Sequence, residues 1–156
     1  MSSESNDRPA APAQPPGAPG RLLALDFGSQ TIGLAVTDPL GVTAQGLVTL
    51  RRRNKKTDLE GLAAVIRDYG GAEIVIGYPL HMSGQAGAQA GRVEQFAETL
   101  RQRFGLPVHL WDERLTTAEA QRVLRETDMS GRRRARVVDR LAAVLILQNF
   151  LEGRRH

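Results

Sequence analysis

The stretch RLLALDFGSQTIGLAVTDPLGVTAQGLVTL, residues 21–50, decides the fold. It holds three β-prone runs in close succession: Arg21–Phe27, Ile32–Asp38 and Thr43–Leu50. The turn formers Gly28-Ser29-Gln30 and Pro39-Leu40-Gly41 separate them, so the segment predicts an antiparallel meander. A basic turn from Arg51 to Lys56 leads into a helix over about 57–69, with Leu59, Leu62, Ala63 and Ile66 on one face.

Beyond that helix the pattern alternates. Ile74-Val75-Ile76 reads as a short buried strand, and Gly77–Gly91 as a glycine-rich loop entering a helix that ends near Phe104. Leu106–Trp111 is the next strand. Thr116 and Glu119 have capping-box spacing, so a helix is expected from there to about Glu126. An arginine-rich loop, Thr127–Arg134, precedes a final helix over about 135–151. The whole implies an α/β fold: a mixed five-stranded sheet, antiparallel meander first and parallel strands after, flanked by helices.

Outward from this core, residues 1–20 carry Pro9, Pro12, Pro15, Pro16 and Pro19 among small and polar residues. Such a stretch cannot build a packed core and is expected to be a disordered tail, leaving one domain over 21–156. Cysteine is absent, which rules out disulfides and thiolate metal sites and suits a reducing cytoplasm. No apolar run approaches the ~20 residues that span a bilayer, and no basic-then-apolar leader opens the chain, so no membrane partner is expected. The formal net charge is +4, which points to a polyanionic partner. Aromatic residues make up only 4% of the chain, so backbone and shape recognition is expected rather than base stacking.

Two carboxylates stand where apolar residues belong, and a third closes a strand. Asp26 follows Leu22–Leu25 in a strand apolar enough to be covered on both faces. A buried anion costs several kcal/mol, roughly, unless it is paired or bound to metal. Alone, Asp26 could equally be a salt-bridge partner or a turn cap. Asp139 has Ala135, Ala142, Ala143, Ile146 and Phe150 at helical spacing, which puts it on the face that packs against the sheet. An arginine partner would be the ordinary explanation. Glu113 closes a strand within Asp112-Glu113-Arg114, and strand ends in open α/β sheets are where ligands bind. Strand alternation allows only one of Asp112 and Glu113 to face a given site; by itself either could belong to a solvated turn. Taken together, Asp26, Glu113 and Asp139 form a candidate catalytic and metal-ligating set. Clustered anions need cations between them, and hard oxygen donors suit Mg2+ or Mn2+. Two such ions would serve phosphodiester hydrolysis.

Arg132, Arg133, Arg134 and Arg136 lie just ahead of Asp139, at a helix N-terminus where cations are poorly placed. With Arg114 they are the candidate nucleic-acid contacts. Arg51, Arg52, Arg53, Lys55 and Lys56 form a second basic patch. His81, in the glycine-rich loop, is a candidate general base, although a lone loop histidine is commonly just a polar surface residue.

Leu25-Asp26-Phe27-Gly28 with Ile32–Asp38, and Ile76-Gly77-Tyr78-Pro79-Leu80 with Gly84, resemble the YqgF family. So do Asp112–Thr117 and Val137–Ala143, and the likeness runs from about Arg21 to Glu152. The resemblance implies an RNase H-like fold. It also implies a metal-dependent nuclease that trims the 5′ end of the small-subunit ribosomal RNA precursor, or resolves four-way DNA junctions. The family's acidic positions fall on Asp26, Glu113 and Asp139. The chain departs from the family at Gln30-Thr31, where a basic residue is common, and at His81 and Ser83. Structured RNA precursor or branched DNA is then the expected partner, within ribosomal precursor particles in the first case. The chain would act as a monomer or homodimer, junction resolution requiring the dimer. Two rivals remain: an ATPase of the actin and Hsp70 type, which needs a second similar domain, and a non-catalytic nucleic-acid binding module.

Overall fold

The computed structural model describes residues 20–79, 87–112 and 131–154, with the backbone alone over 131–140. In chain order the described elements are β1 (Arg21–Phe27), β2 (Thr31–Thr37), β3 (Ala44–Gly46), β4 (Leu50–Arg51), α1 (Lys55–Tyr69), β5 (Gly71–Tyr78), α2 (Ala88–Phe104), β6 (Val108–Asp112) and α3 (Gly131–Arg154). The sheet runs β3-β2-β1-β5-β6, with β4 also on β2. β1 and β2 pair antiparallel, whereas β5 joins β1 and β6 joins β5 in parallel. The mixed sheet expected from the meander and the later alternation is therefore present.

The third expected run is two strands, so the sheet counts six rather than five. The register steps by one residue between the Ala35–Gly46 and Ile32–Leu50 pairs, the mark of a bulge. The extra residue lets Leu47 and Leu50 both pack into the core beside α1, while Val48 is left exposed. Without it, strict alternation would send one of those leucines to the other face. Asp38 organises the β2–β3 turn by accepting from the Val42 and Thr43 amides at 2.7 and 2.8 Å, and those amide bonds lower its pKa.

β1 is buried on both faces, as its sequence requires. Leu23, Leu25 and Phe27 pack with Leu59 and Leu62 of α1 and Val93, Ala97 and Leu100 of α2. Leu22 and Ala24 face the other way, towards Ala143, Ile146, Leu147 and Phe150 of α3. Small residues line this second interface (Ala24, Ala35 and Ala143), so α3 can lie close on the sheet.

The first two helices end where the sequence predicts, at Tyr69 and Phe104, while α1 and α3 begin earlier than expected. α1 begins at Lys55 because Asn54 caps it, its side chain accepting from the Thr57 amide at 2.8 Å. It ends at Gly70, which takes the left-handed conformation with φ 67°. α3 begins at Gly131, so Arg132–Arg134 belong to the helix backbone and not to a loop. Arginine is a good helix former, and nothing in that run breaks a helix. Gly77 lies in β5 and Gly91 in α2, which confines the glycine-rich connection to the stretch between them. The helix expected over 116–126 and the proline-rich tail over 1–19 lie outside the described residues.

The last turn of α3 is fastened to the sheet by charge. Arg154 and His109 of β6 both reach the Glu73 carboxylate of β5, the histidine Nε2 at 2.5 Å. Partial burial pushes the Glu73 pKa up, but its hydrogen bonds to Arg154 and His109 outweigh this and leave it below the usual 4.5. A carboxylate with a lowered folded pKa stabilises the fold above its unfolded pKa, and that contribution fades as pH falls through the folded value. Thermal melts should therefore show stability falling below about pH 4.5. Glu73→Gln should flatten the acid limb, and an unchanged limb would remove Glu73 from the account.

Candidate active site at the carboxyl edge of the sheet

Asp26 is the penultimate residue of β1, at the end where the parallel strands β5 and β6 also finish. Alternation along β1 puts it on the α3 face with Leu22 and Ala24. It is half-buried, less enclosed than the apolar strand alone suggests.

Its strand neighbours are both glycines. Across β2 it pairs with Gly33. Across β5 the Leu25–Ile76 pair brings Gly77 next to it, and Gly77 pairs onward with Trp111. Ile32 and Leu34 point to the α1–α2 core, as do Ile76 and Tyr78, so positions 33 and 77 share the face of Asp26. Neither strand neighbour therefore carries a side chain on the face of Asp26.

The turn after Asp26 is held from the opposite face. The Gly28 amide donates to the Thr31 carbonyl at 2.9 Å, and Arg52 donates to the Gly28 carbonyl at 2.8 Å. The Arg52 guanidinium lies 4.3 Å from the centre of the Phe27 ring, whose other neighbour, Phe96, stacks at 4.1 Å. Gln89 donates to the Phe27 carbonyl at 3.2 Å. At the end of β5, Tyr78 donates its hydroxyl to Glu94 of α2; that hydrogen bond raises the tyrosine pKa.

The remaining expected site residues divide as follows. Asp112 follows Val108 and Leu110 in parity and so lies on the α1–α2 side of β6, opposite in face to Asp26. Glu113, Arg114 and His81 lie outside the described residues. Asp139, Arg132, Arg133, Arg134 and Arg136 belong to the backbone of α3, and their side chains are likewise outside the described residues. Among the described residues, no three His, Cys, Asp or Glu side chains gather closely enough to hold a metal ion.

Sequence reasoning overlooked Asp58. It is 7% exposed at the first turn of α1, where it accepts from the Arg53 amide at 2.9 Å and pairs with Arg52 at 3.7 Å. The signal was present as an acid four residues after a capping asparagine. The basic run before it drew attention away.

A mixed sheet of this strand order, with helices on both faces and an acid at the end of its central strand, is an RNase H-like fold. Solved structures agree. A Fowlpox virus resolvase in complex with Holliday junction DNA superposes with a TM-score of 0.53 at 10% identity, over 87% of this chain and 99% of that one. RuvC of T. thermophilus, in complex with a Holliday junction substrate, gives 0.50 at 14% identity over 87% and 96%. Residues 20–153 match the family described as RuvX, Holliday junction resolvase. The chain is 56% identical to a Koribacter versatilis protein over 90% of its own length and 92% of the relative's. A Moorella thermoacetica protein is 53% identical over 85% and 94%. Both relatives carry the name "Putative pre-16S rRNA nuclease". The chain belongs to the RuvX (YqgF) family, and with it to the RNase H-like nucleases.

Proposed function

We propose that this chain is a divalent-metal-dependent nuclease that processes the 5′ end of precursor 16S ribosomal RNA, with Asp26, Glu113 and Asp139 as its acidic centre. The observation that carries the reading is Asp26: a half-buried carboxylate at the carboxyl edge of the central strand, with Gly33 and Gly77 on either side of it. A carboxylate oxygen at a strand end, flanked by residues without side chains, suits a hard cation such as Mg2+ or Mn2+. When bound, two such ions would activate water and steady the leaving oxygen of a phosphodiester.

Chain direction supports the other two acids. Arg154 meets Glu73 near the start of β5, so the end of α3 lies over the amino-terminal edge of the sheet. The earlier turns of α3 then run towards the carboxyl edge. Position 139 is one helical turn before Ala143 and two before Ile146, both buried against the sheet. Glu113 directly follows Asp112 at the end of β6, and His109 and Trp111 of that strand pack against Phe150 on the α3 face. β5 separates β1 from β6, so the two strand ends stand two strand spacings apart, about 10 Å.

The acids bind and orient; none of them is placed as a covalent nucleophile. The arginines ahead of Asp139, with Arg114, supply phosphate contacts. Names borne by relatives above 50% identity support the ribosomal precursor as substrate. On this reading the chain meets it in precursor particles in the cytoplasm. Among the described residues no helix is long and apolar enough to cross a membrane.

The test presents a 16S precursor leader and a four-way junction side by side, each with Mg2+ or Mn2+. Cutting of the leader that is lost in Asp139→Asn is the expected result. Undiminished cutting by that variant would remove the mechanism. Cutting of the junction alone, by a dimer, would move the substrate to DNA.

A further inference from the structure

On the face of β1 opposite Asp26 there is a second feature. A cavity of about 270 Å³ opens between α1 and α2 at the end of β1. Phe27, Phe96 and the buried Asp58 line it together with Arg52, Lys55 and Arg92. Three cations surround one buried carboxylate, so the opening is net positive. The long 3.7 Å approach of Arg52 Nε to Asp58 leaves that nitrogen, itself buried, without a hydrogen-bond acceptor. With that nitrogen enclosed beside Asp58, the donors open to an incoming phosphate oxygen are those of Lys55 and Arg92, both exposed along the wall of the cavity.

Both arginines are tied to the residues that directly follow Asp26. Arg52 donates to the Gly28 carbonyl. Arg92 donates to Gln89 at 2.8 Å, and Gln89 in turn donates to the Phe27 carbonyl. The pocket and the acid are thus built on consecutive residues of one strand end, one on each side of the sheet.

We infer that this pocket holds a backbone phosphate of the substrate strand, a few nucleotides from the scissile bond, as the strand bends over the edge of the sheet. The volume is near the low end of small-ligand pockets, about 300 Å³, which suits a phosphate and part of its sugar better than a whole nucleotide. Neither face of the Phe27 ring is open for a base, since Arg52 and Phe96 cover them. Passing from one layer to the other is about 10 Å, or about three nucleotides at a rise of 3.4 Å each. This assignment rests on a nucleic-acid strand being the substrate, as proposed above.

The test is binding of a fluorescent leader RNA in EDTA, which separates it from catalysis. The double variant Lys55→Gln/Arg92→Gln should bind about tenfold more weakly, and its log–log salt dependence should be shallower by roughly 1–2. Arg103→Gln, the same kind of charge loss at the far end of α2, should change neither. Wild-type affinity and slope in the double variant would overturn the pocket while leaving cleavage intact. An equal loss from Arg103→Gln would overturn it too, as diffuse attraction. Should wild type fail to cut RNA yet the double variant still lose affinity selectively, the pocket stands and the nuclease reading falls. Inorganic phosphate alone is the last arm: if it shifts the amide resonances of 52–58 and 89–99 as strongly as the RNA does, the site serves a free anion and the strand assignment is wrong.

Discussion

Asp26→Asn is expected to yield a folded protein that cuts its substrate about a thousandfold more slowly, a loss of about 4 kcal/mol in transition-state stabilisation. The substitution keeps the size and shape of the side chain and removes its charge. Strand β1 keeps its leucines and its pairing with β2 and β5, so the melting temperature should stay within a few degrees of wild type. Quenched-flow or gel-based cleavage rates, read beside a thermal melt, check both halves. A variant that melts normally and still cuts at the wild-type rate would show that the acidic end of β1 is not where the chemistry happens.

Ile146→Ala is expected to cost about 3 kcal/mol of stability, within the usual range of 2–5 for a fully buried aliphatic residue cut to alanine. For a domain of this size that lowers Tm by about 6–12 °C. Leu100→Ala, equally buried on the α1–α2 side, should cost a similar amount. The two should differ in rate. Ile146 belongs to the layer that seats α3 on the sheet through Ala24, Ala35 and Val75, and α3 carries Asp139. At temperatures where both variants are folded, Ile146→Ala should lose about tenfold in cleavage and Leu100→Ala little, since small displacements of a positioned group are costly. Equal rates in the two would mean that the α3 layer plays no part in aligning the site.

Much of the fold was legible because its signals are local. Leu22–Leu25 is too apolar for a one-sided strand, and Gly28-Ser29-Gln30 is too turn-prone to continue it. The bulge between β3 and β4 was not legible, because an extra residue shows only once a partner strand sets the register. The start of α3 was misplaced because four arginines near a helix N-terminus look like a loop when charge is weighed above propensity. Asp26 stood out as a charge in an apolar run. Its glycine flanks did not, since Gly33 and Gly77 become neighbours only when β2 and β5 close on β1 from opposite sides. The pocket beneath Phe27 was invisible for a similar reason: it needs α1 and α2, some 30 residues apart, to converge on one ring.

Those glycine flanks bear on any attempt to make the protein hardier. Glycine weakens a strand, and a search for thermostabilising changes guided by β-propensity would turn first to valine or isoleucine at 33 and 77. Such changes would set a branched side chain on each side of Asp26 and, on the function proposed above, would exchange turnover for rigidity. Improvements are better sought at Val48 or Leu40, large apolar side chains left exposed to solvent.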